Sequence, residues 1–163
     1  MAVTNLSASK LNKLIVRLEN DFTEVKFKKS KTHSWSPDQN IVFYNPQSPE
    51  RIALVGVLHE LAHALLGHKD YVTDFELVRM ESKAWHKATE LGKIYGVNIS
   101  DAYIQKCLDT YRDWLYKRSL CPACGSQALQ SNPAAYRCFN CQTAWKVTSS
   151  RFNRPYRKVV VGR

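Results

Sequence analysis

Residues 59–63 read His59-Glu60-Leu61-Ala62-His63. On a helix, two histidines four apart stand one turn above another on the same face. Both imidazoles then reach one metal ion, and the glutamate between them sits beside it without ligating it. From that place Glu60 can take a proton from a water whose pKa zinc lowers to about 7, and pass it to the leaving amine of a peptide. With 5 histidines in 163 residues, the pattern is expected by chance only roughly 0.007 times. Its setting, IALVGVLHELAHALLG, is apolar. Histidine and glutamate placed there without partners would be desolvated at high cost, so a metal accounts for them better than packing does.

A second constellation lies further on. Cys121-Pro122-Ala123-Cys124 and Cys138-Phe139-Asn140-Cys141 are two C-x2-C knuckles separated by 13 residues, the arrangement that folds two short hairpins around one tetrahedral zinc held by four thiolates. A closed site of this kind leaves no position for a substrate water, so its role is structural, replacing a core too small to form alone. Redox chemistry would call for a single C-x-x-C in a thioredoxin-like context. Cys107, beside Ile104, Leu108 and Tyr111 on one helical face, reads as a buried small hydrophobe rather than a nucleophile.

A catalytic zinc takes three protein ligands and a water. The elongated metzincin pattern would need glycine at position 66 and histidine at 69, where the chain has Leu66 and Lys69. Three candidates remain for the third ligand: Glu81, His68 and His86. Glu81 is favoured, because a loop of about seven residues after Gly67 lets the next helix return antiparallel and face a carboxylate to the histidines. Glu76 and Glu90 read as solvated helix faces. Tyr71, Tyr95, Tyr103 and Tyr111 are all open as oxyanion donors.

The elements that position these residues follow from periodicity. Leu11, Leu14, Ile15, Leu18 and Phe22 predict an amphipathic helix over about residues 9–21. Val25 and Phe27 alternate with Lys26 and Lys28 as in a half-exposed strand, and Ile41-Val42-Phe43-Tyr44 after a Ser-Pro-Asp-Gln-Asn turn reads as a second, giving a small antiparallel sheet. Ser48-Pro49-Glu50 supplies an N-cap, a proline at the first helical position and an acid at the positive end of the dipole for a helix reaching Leu66 and stopping at Gly67. Further helices are expected over Asp74–Tyr95 and from Ser100-Asp101 to Lys117-Arg118, with a domain boundary near Ser119. Trp85, with Ala84 and Ala88, reads as core.

On these motifs the chain resembles the small gluzincin-type metallopeptidases of the ImmA/IrrE group, in which an HExxH helix precedes a helix bearing a glutamate ligand in an E-x-x-A setting, here Glu81-x-x-Ala84. It is also similar to SprT-like proteases, which join HExxH to a C-terminal zinc ribbon. Their third ligand is a histidine in a pattern like H-G-x-x-W, where this chain has Glu81 and Trp85. The resemblance covers residues 25–95 and 119–147. It implies an α+β, zincin-like core over residues 1–118 followed by a four-cysteine zinc ribbon over 119–147 and a basic C-terminal tail over 148–163. It also implies that Ile41–Tyr44 is an edge strand that aligns an extended peptide over the metal.

Composition sets the remaining expectations. The formal charge is +10, and from Ser119 onward there are seven lysines and arginines and no acid, so a polyanion is a fitting partner for that end. Tyr136, Arg137, Phe139, Trp145, Lys146, Arg151, Arg154, Tyr156, Arg157 and Lys158 interleave rings with bases, as suits phosphate contact and base stacking, although Tyr136 and Trp145 equally suit ribbon packing. No stretch reaches the roughly 18 apolar residues of a membrane span, and the first residues lack a signal-peptide pattern, so a cytoplasmic chain with no membrane partner is expected. Together the readings point to a zinc-dependent metalloendopeptidase. It would carry two zinc ions per chain, one on His59, His63 and Glu81 and one on Cys121, Cys124, Cys138 and Cys141, and cleave a protein or peptide substrate, such as a DNA-associated protein or regulator. The alternative is a nucleic-acid- or protein-binding adaptor with an inactive core.

Overall fold

The apolar stripe of the first predicted helix is buried as its spacing requires: Leu11, Leu14, Ile15 and Leu18 all face inward on α1 (Lys10–Asp21), and the Ser9 hydroxyl accepts from the Asn12 amide at 3.2 Å as the N-cap. The computed structural model describes residues 9–148 and 157–160. Among them the architecture is α+β, with four helices and two small sheets. The chain divides into two compact units, Met1–Lys69 with Lys83–Ser100 and Asp70–Ser82 with Asp101–Arg163.

In the first unit, β1 (Lys26–Lys29), β2 (Ser34–Ser36) and β3 (Ile41–Tyr44) form a sheet of order β1-β3-β2. Two expectations are corrected here. β1 pairs with β3 in parallel, Phe27 opposite Val42, because β2 intervenes and itself pairs antiparallel to β3 through Trp35 opposite Val42. β3 is therefore the central strand, hydrogen-bonded on both sides, and offers no free edge to a peptide. Its burial agrees: Ile41, Val42 and Tyr44 are all buried, as befits a strand covered on both faces. The turn into β3 is closed by Asn40, at φ +54°, a left-handed residue that asparagine tolerates.

Helix α2 (Glu50–Leu65) packs on β2, β3 and α1. Its buried residues, among them Val55, Val57, Leu58 and Leu61, run almost all round the helix, consistent with an element inside a core. Each such side chain contributes on the order of 1.5–3 kcal/mol. The helix begins one residue later than expected: Pro49 is the N-cap, and the Ser48 hydroxyl lies 3.4 Å from His33 Nε2 instead of capping. Gly56 has a packing reason. A Cβ there would stand 2.8 Å from the His33 ring, so only glycine lets that ring approach the helix.

α3 (Asp74–Tyr95) runs through both units. Thr73 caps it, its hydroxyl accepting from the Glu76 amide at 3.1 Å, while the Glu76 carboxylate accepts from the Val72 amide at 2.9 Å. At its far end the Tyr95 hydroxyl donates to Asp21 at 2.6 Å. In the second unit α4 (Asp101–Ser119) is followed by a sheet of order β4-β5-β6-β7, formed by Gln130–Asn132, Ala135–Arg137, Ala144–Val147 and Arg157–Val160. Arg157–Val160, read from sequence as tail, thus adds a strand to the cysteine-rich sheet. A buried group joins that sheet to the helices of its own unit. Arg118 Nε donates to Asp74 at 2.8 Å, the Tyr136 hydroxyl donates to the same carboxylate, and Trp145 Nε1 donates to the Arg118 carbonyl at 3.0 Å. Breaking such a buried pair by removing one partner costs about 3–5 kcal/mol.

Candidate metal centres

The two cysteine knuckles are built by one repeated set of backbone bonds. In the first, the Cys121 amide donates to the Ser126 carbonyl at 2.9 Å and the Gly125 amide to the Cys121 carbonyl at 3.0 Å. In the second, the Cys138 amide donates to Thr143 at 2.9 Å and the Gln142 amide to Cys138 at 3.0 Å. The residue after each second cysteine is left-handed, Gly125 at φ +72° and Gln142 at φ +62°. Each knuckle thus pairs a buried cysteine, Cys121 or Cys138, with an exposed one, Cys124 or Cys141, and the four lie close enough to bind one metal ion. Cys121 and Cys141 Sγ are 3.5 Å apart and Cys124 and Cys138 Sγ 3.6 Å. A disulfide would need about 2.05 Å, whereas thiolates each about 2.3 Å from one tetrahedral zinc stand roughly 3.8 Å apart.

Local donors favour the thiolate at two of the four cysteines, while at Cys138 the backbone donors of Cys141 and Asn140 are outweighed by burial and the neighbouring thiols, which push it up to about 11. The Ser126 hydroxyl and amide, with Asn140, pull Cys124 down to about 5, and the Thr143 hydroxyl and amide lower Cys141. Behind the knuckles Tyr136 and Trp145 are stacked at 5.5 Å and fully buried with Cys121 and Cys138. These two rings are therefore core, not a platform for bases. Phe139, by contrast, is exposed. Strand register gives the sheet a basic outer face. Lys146 is paired with Ala135 and Lys158, and Arg137 lies two residues along from Ala135, so Arg137, Lys146 and Lys158 share the face opposite Tyr136 and Trp145, and all three are exposed. Arg151, Arg154 and Tyr156 lie outside the described residues.

The second set of donors is mounted on helices. His59 and His63, one turn apart on α2, are both buried, as is Glu81 on α3, and one ligating atom from each lies within 4.8 Å of the others. The two histidine Nε2 atoms are 3.3 Å apart. That is longer than the roughly 2.9–3.0 Å typical of an N–H bond, and it matches the roughly 3.3 Å between two nitrogens that share a tetrahedral zinc. Two imidazoles and a carboxylate, all buried, are a donor set that zinc fits. Glu60 follows His59 directly and is half-buried.

The other two candidate ligands have different surroundings. His86 is exposed and paired with Glu90 at 3.5 Å. His68 Nδ1 lies 3.0 Å from His63 Nδ1, on the side of that ring away from His59. Of the candidate oxyanion donors, Tyr95 is engaged with Asp21. Cys107, read from the sequence as a buried small hydrophobe, is half-buried. Sequence reasoning missed two neighbours. Trp85, one turn beyond Glu81, is stacked on His59 with ring centroids 4.0 Å apart and so fixes that imidazole's plane. His33, wedged against Gly56, feels His59: burial first, and that charge second, lower its pKa. The i, i+4 spacing of Glu81 and Trp85 was a usable signal for the first; nothing in the sequence marked the second. No helix among the described residues is long and apolar enough to cross a membrane. No family model matches the chain, and no curated protein or solved structure matches it.

Proposed function

We propose that the protein is a zinc-dependent metalloendopeptidase with a zincin-like core, a second, structural zinc on its four cysteines, and a protein or peptide substrate. The observation that carries this reading is the convergence of His59, His63 and Glu81, with Glu60 next in the chain to the first of them. Zinc, when bound, supplies Lewis acidity that polarises a carbonyl and makes water acidic. His59, held flat by Trp85, His63 and Glu81 would hold the ion. Glu60 would accept the proton of the attacking water and deliver it to the departing amine, the role its half-buried position beside the ligands suits. Glu60→Gln keeps the shape and removes the base. Against a panel of denatured proteins, the purified zinc-loaded chain should cut in a chelator-sensitive way, with the variant slower by about 10²–10⁴-fold. Cleavage that Glu60→Gln leaves unchanged would defeat the proposal.

A second reading rests on the outer face of the cysteine-rich sheet. Lys146 and Lys158 are directly opposed across strands, an arrangement that is destabilising on its own, and a polyanion over Arg137, Lys146 and Lys158 would relieve it. On this reading the ribbon engages nucleic acid, which either brings a DNA-associated substrate to the core or, if the core is inactive, is the whole function. Salt-dependent binding of a single-stranded oligonucleotide by Glu60→Gln, lost in Lys146→Glu/Lys158→Glu, together with no cleavage by the unaltered chain, would favour the adaptor.

A further inference from the structure

His68 is held against His63 by the way α2 ends. Gly67, at φ +63°, takes the left-handed conformation after the last helical turn. The Gly67 amide donates to the Ala64 carbonyl at 3.0 Å and the His68 amide to the His63 carbonyl at 3.0 Å. This is the paired closure of a Schellman motif, and here its second bond joins the backbones of the two histidines. Trp35 Nε1 donates to the His68 carbonyl at 2.9 Å, tying the same residue to strand β2. The outcome is a 3.0 Å contact between the two Nδ1 atoms, with ring centroids 4.9 Å apart and planes at 70°.

Two ring nitrogens at that distance need one donor and one acceptor. His63 Nε2 is the atom turned to His59, so an imidazole that gives its Nε2 lone pair to a metal keeps its proton on Nδ1, and that proton must have an acceptor. We infer that His68 is a positioning residue: its neutral imidazole accepts from His63 Nδ1–H, fixing the tautomer and orientation in which His63 Nε2 can ligate zinc. His68 then belongs to the centre without being a ligand, and β2, through Trp35, helps to set the ligand geometry. This inference rests on the metal-site reading above.

The test is metal affinity, measured on the full chain by chelator competition, with the cysteine-bound zinc as an internal check on folding. His68→Phe keeps a ring beside His63 and removes the acceptor; His68→Asn restores an acceptor at similar reach. His68→Phe should weaken the histidine-site metal by about 10–100-fold, and His68→Asn should recover most of that loss, with the cysteine-bound metal unchanged in both. Long-range proton–nitrogen spectra of the zinc-loaded chain should place the His63 proton on Nδ1. Equal affinity in all three chains, equal loss in both variants, or a His63 proton on Nε2 would overturn the inference while leaving the metal site standing. An unaltered chain that takes up only the cysteine-bound metal would overturn the metal-site reading and the inference together.

Discussion

The two donor sets differ in how far the chain must fold before they exist. Each cysteine knuckle is finished within six residues, by amide bonds from Cys121 to Ser126 and from Cys138 to Thr143, and two such turns need only meet. The His59–His63–Glu81 set instead needs α2 seated on its sheet and Trp85 stacked on His59. A metal at the first centre would tie together two turns over a small core of Tyr136 and Trp145; a metal at the second would sit on helices already packed. Their responses to damage should differ accordingly.

The largest effect is expected at the knuckles. Cys138→Ser, or a chelator strong enough to strip four thiolates, should unfold the cysteine-rich sheet, since structural zinc supplies on the order of 10 kcal/mol in comparable small domains. Circular dichroism and proteolysis after Arg118 would report it. His63→Ala should lose its metal with the first unit still folded, and equal collapse in both variants would erase the contrast. Next in size is Gly56→Ala. Alanine is ordinarily the better helix residue by about 1 kcal/mol, but here its Cβ meets the His33 ring at 2.8 Å, and overpacking of that kind costs about 1–3 kcal/mol. Denaturant unfolding should show a net loss; a gain would mean His33 moves aside freely.

Smaller effects compare the knuckles with one another. Both use a left-handed residue, but one is Gly125 and the other Gln142. Gly125→Ala should cost about 1 kcal/mol, while Gln142→Gly should be neutral or stabilising by a few tenths. Matching losses would show that the left-handed turn is not what matters. The last effect is confined to alkaline pH. Burial first, then the bond to Asp21, push Tyr95 up to about 12, against about 10 in an unfolded chain. The neutral phenol is favoured by folding, so this contribution is whole below pH 10 and is lost as pH rises from 10 through 12. Tyr95→Phe should flatten the fall in melting temperature over that window.

Local patterns were the legible part of this molecule. Helix α1 follows from its apolar spacing and cap, α3 and α4 follow from the signals at their ends, and the cysteine knuckles and the HELAH turn are contiguous in sequence. What depends on partners distant along the chain was not legible. Ser34–Ser36 is short and polar, and only its pairing with Val42 makes it a strand, which in turn forces β1 and β3 into parallel register and puts β3 in the middle of the sheet. Arg157–Val160 likewise becomes β7 because Val159 lies opposite Trp145. Ser48 has a good capping sequence, yet His33 competes for its hydroxyl. Among the site residues, Glu81 was reachable from helix spacing, whereas the place of His68 is set by a helix end and an indole 33 residues away.

The proposed function requires the helices to hold a second metal with Glu81 as a ligand. Zinc per chain, measured by elemental analysis on the intact protein and on Glu81→Ala at matched concentration, tests it most directly. The intact chain should carry about two zinc ions, falling to about one in the variant while the cysteine-bound ion stays. One zinc in both would contradict it.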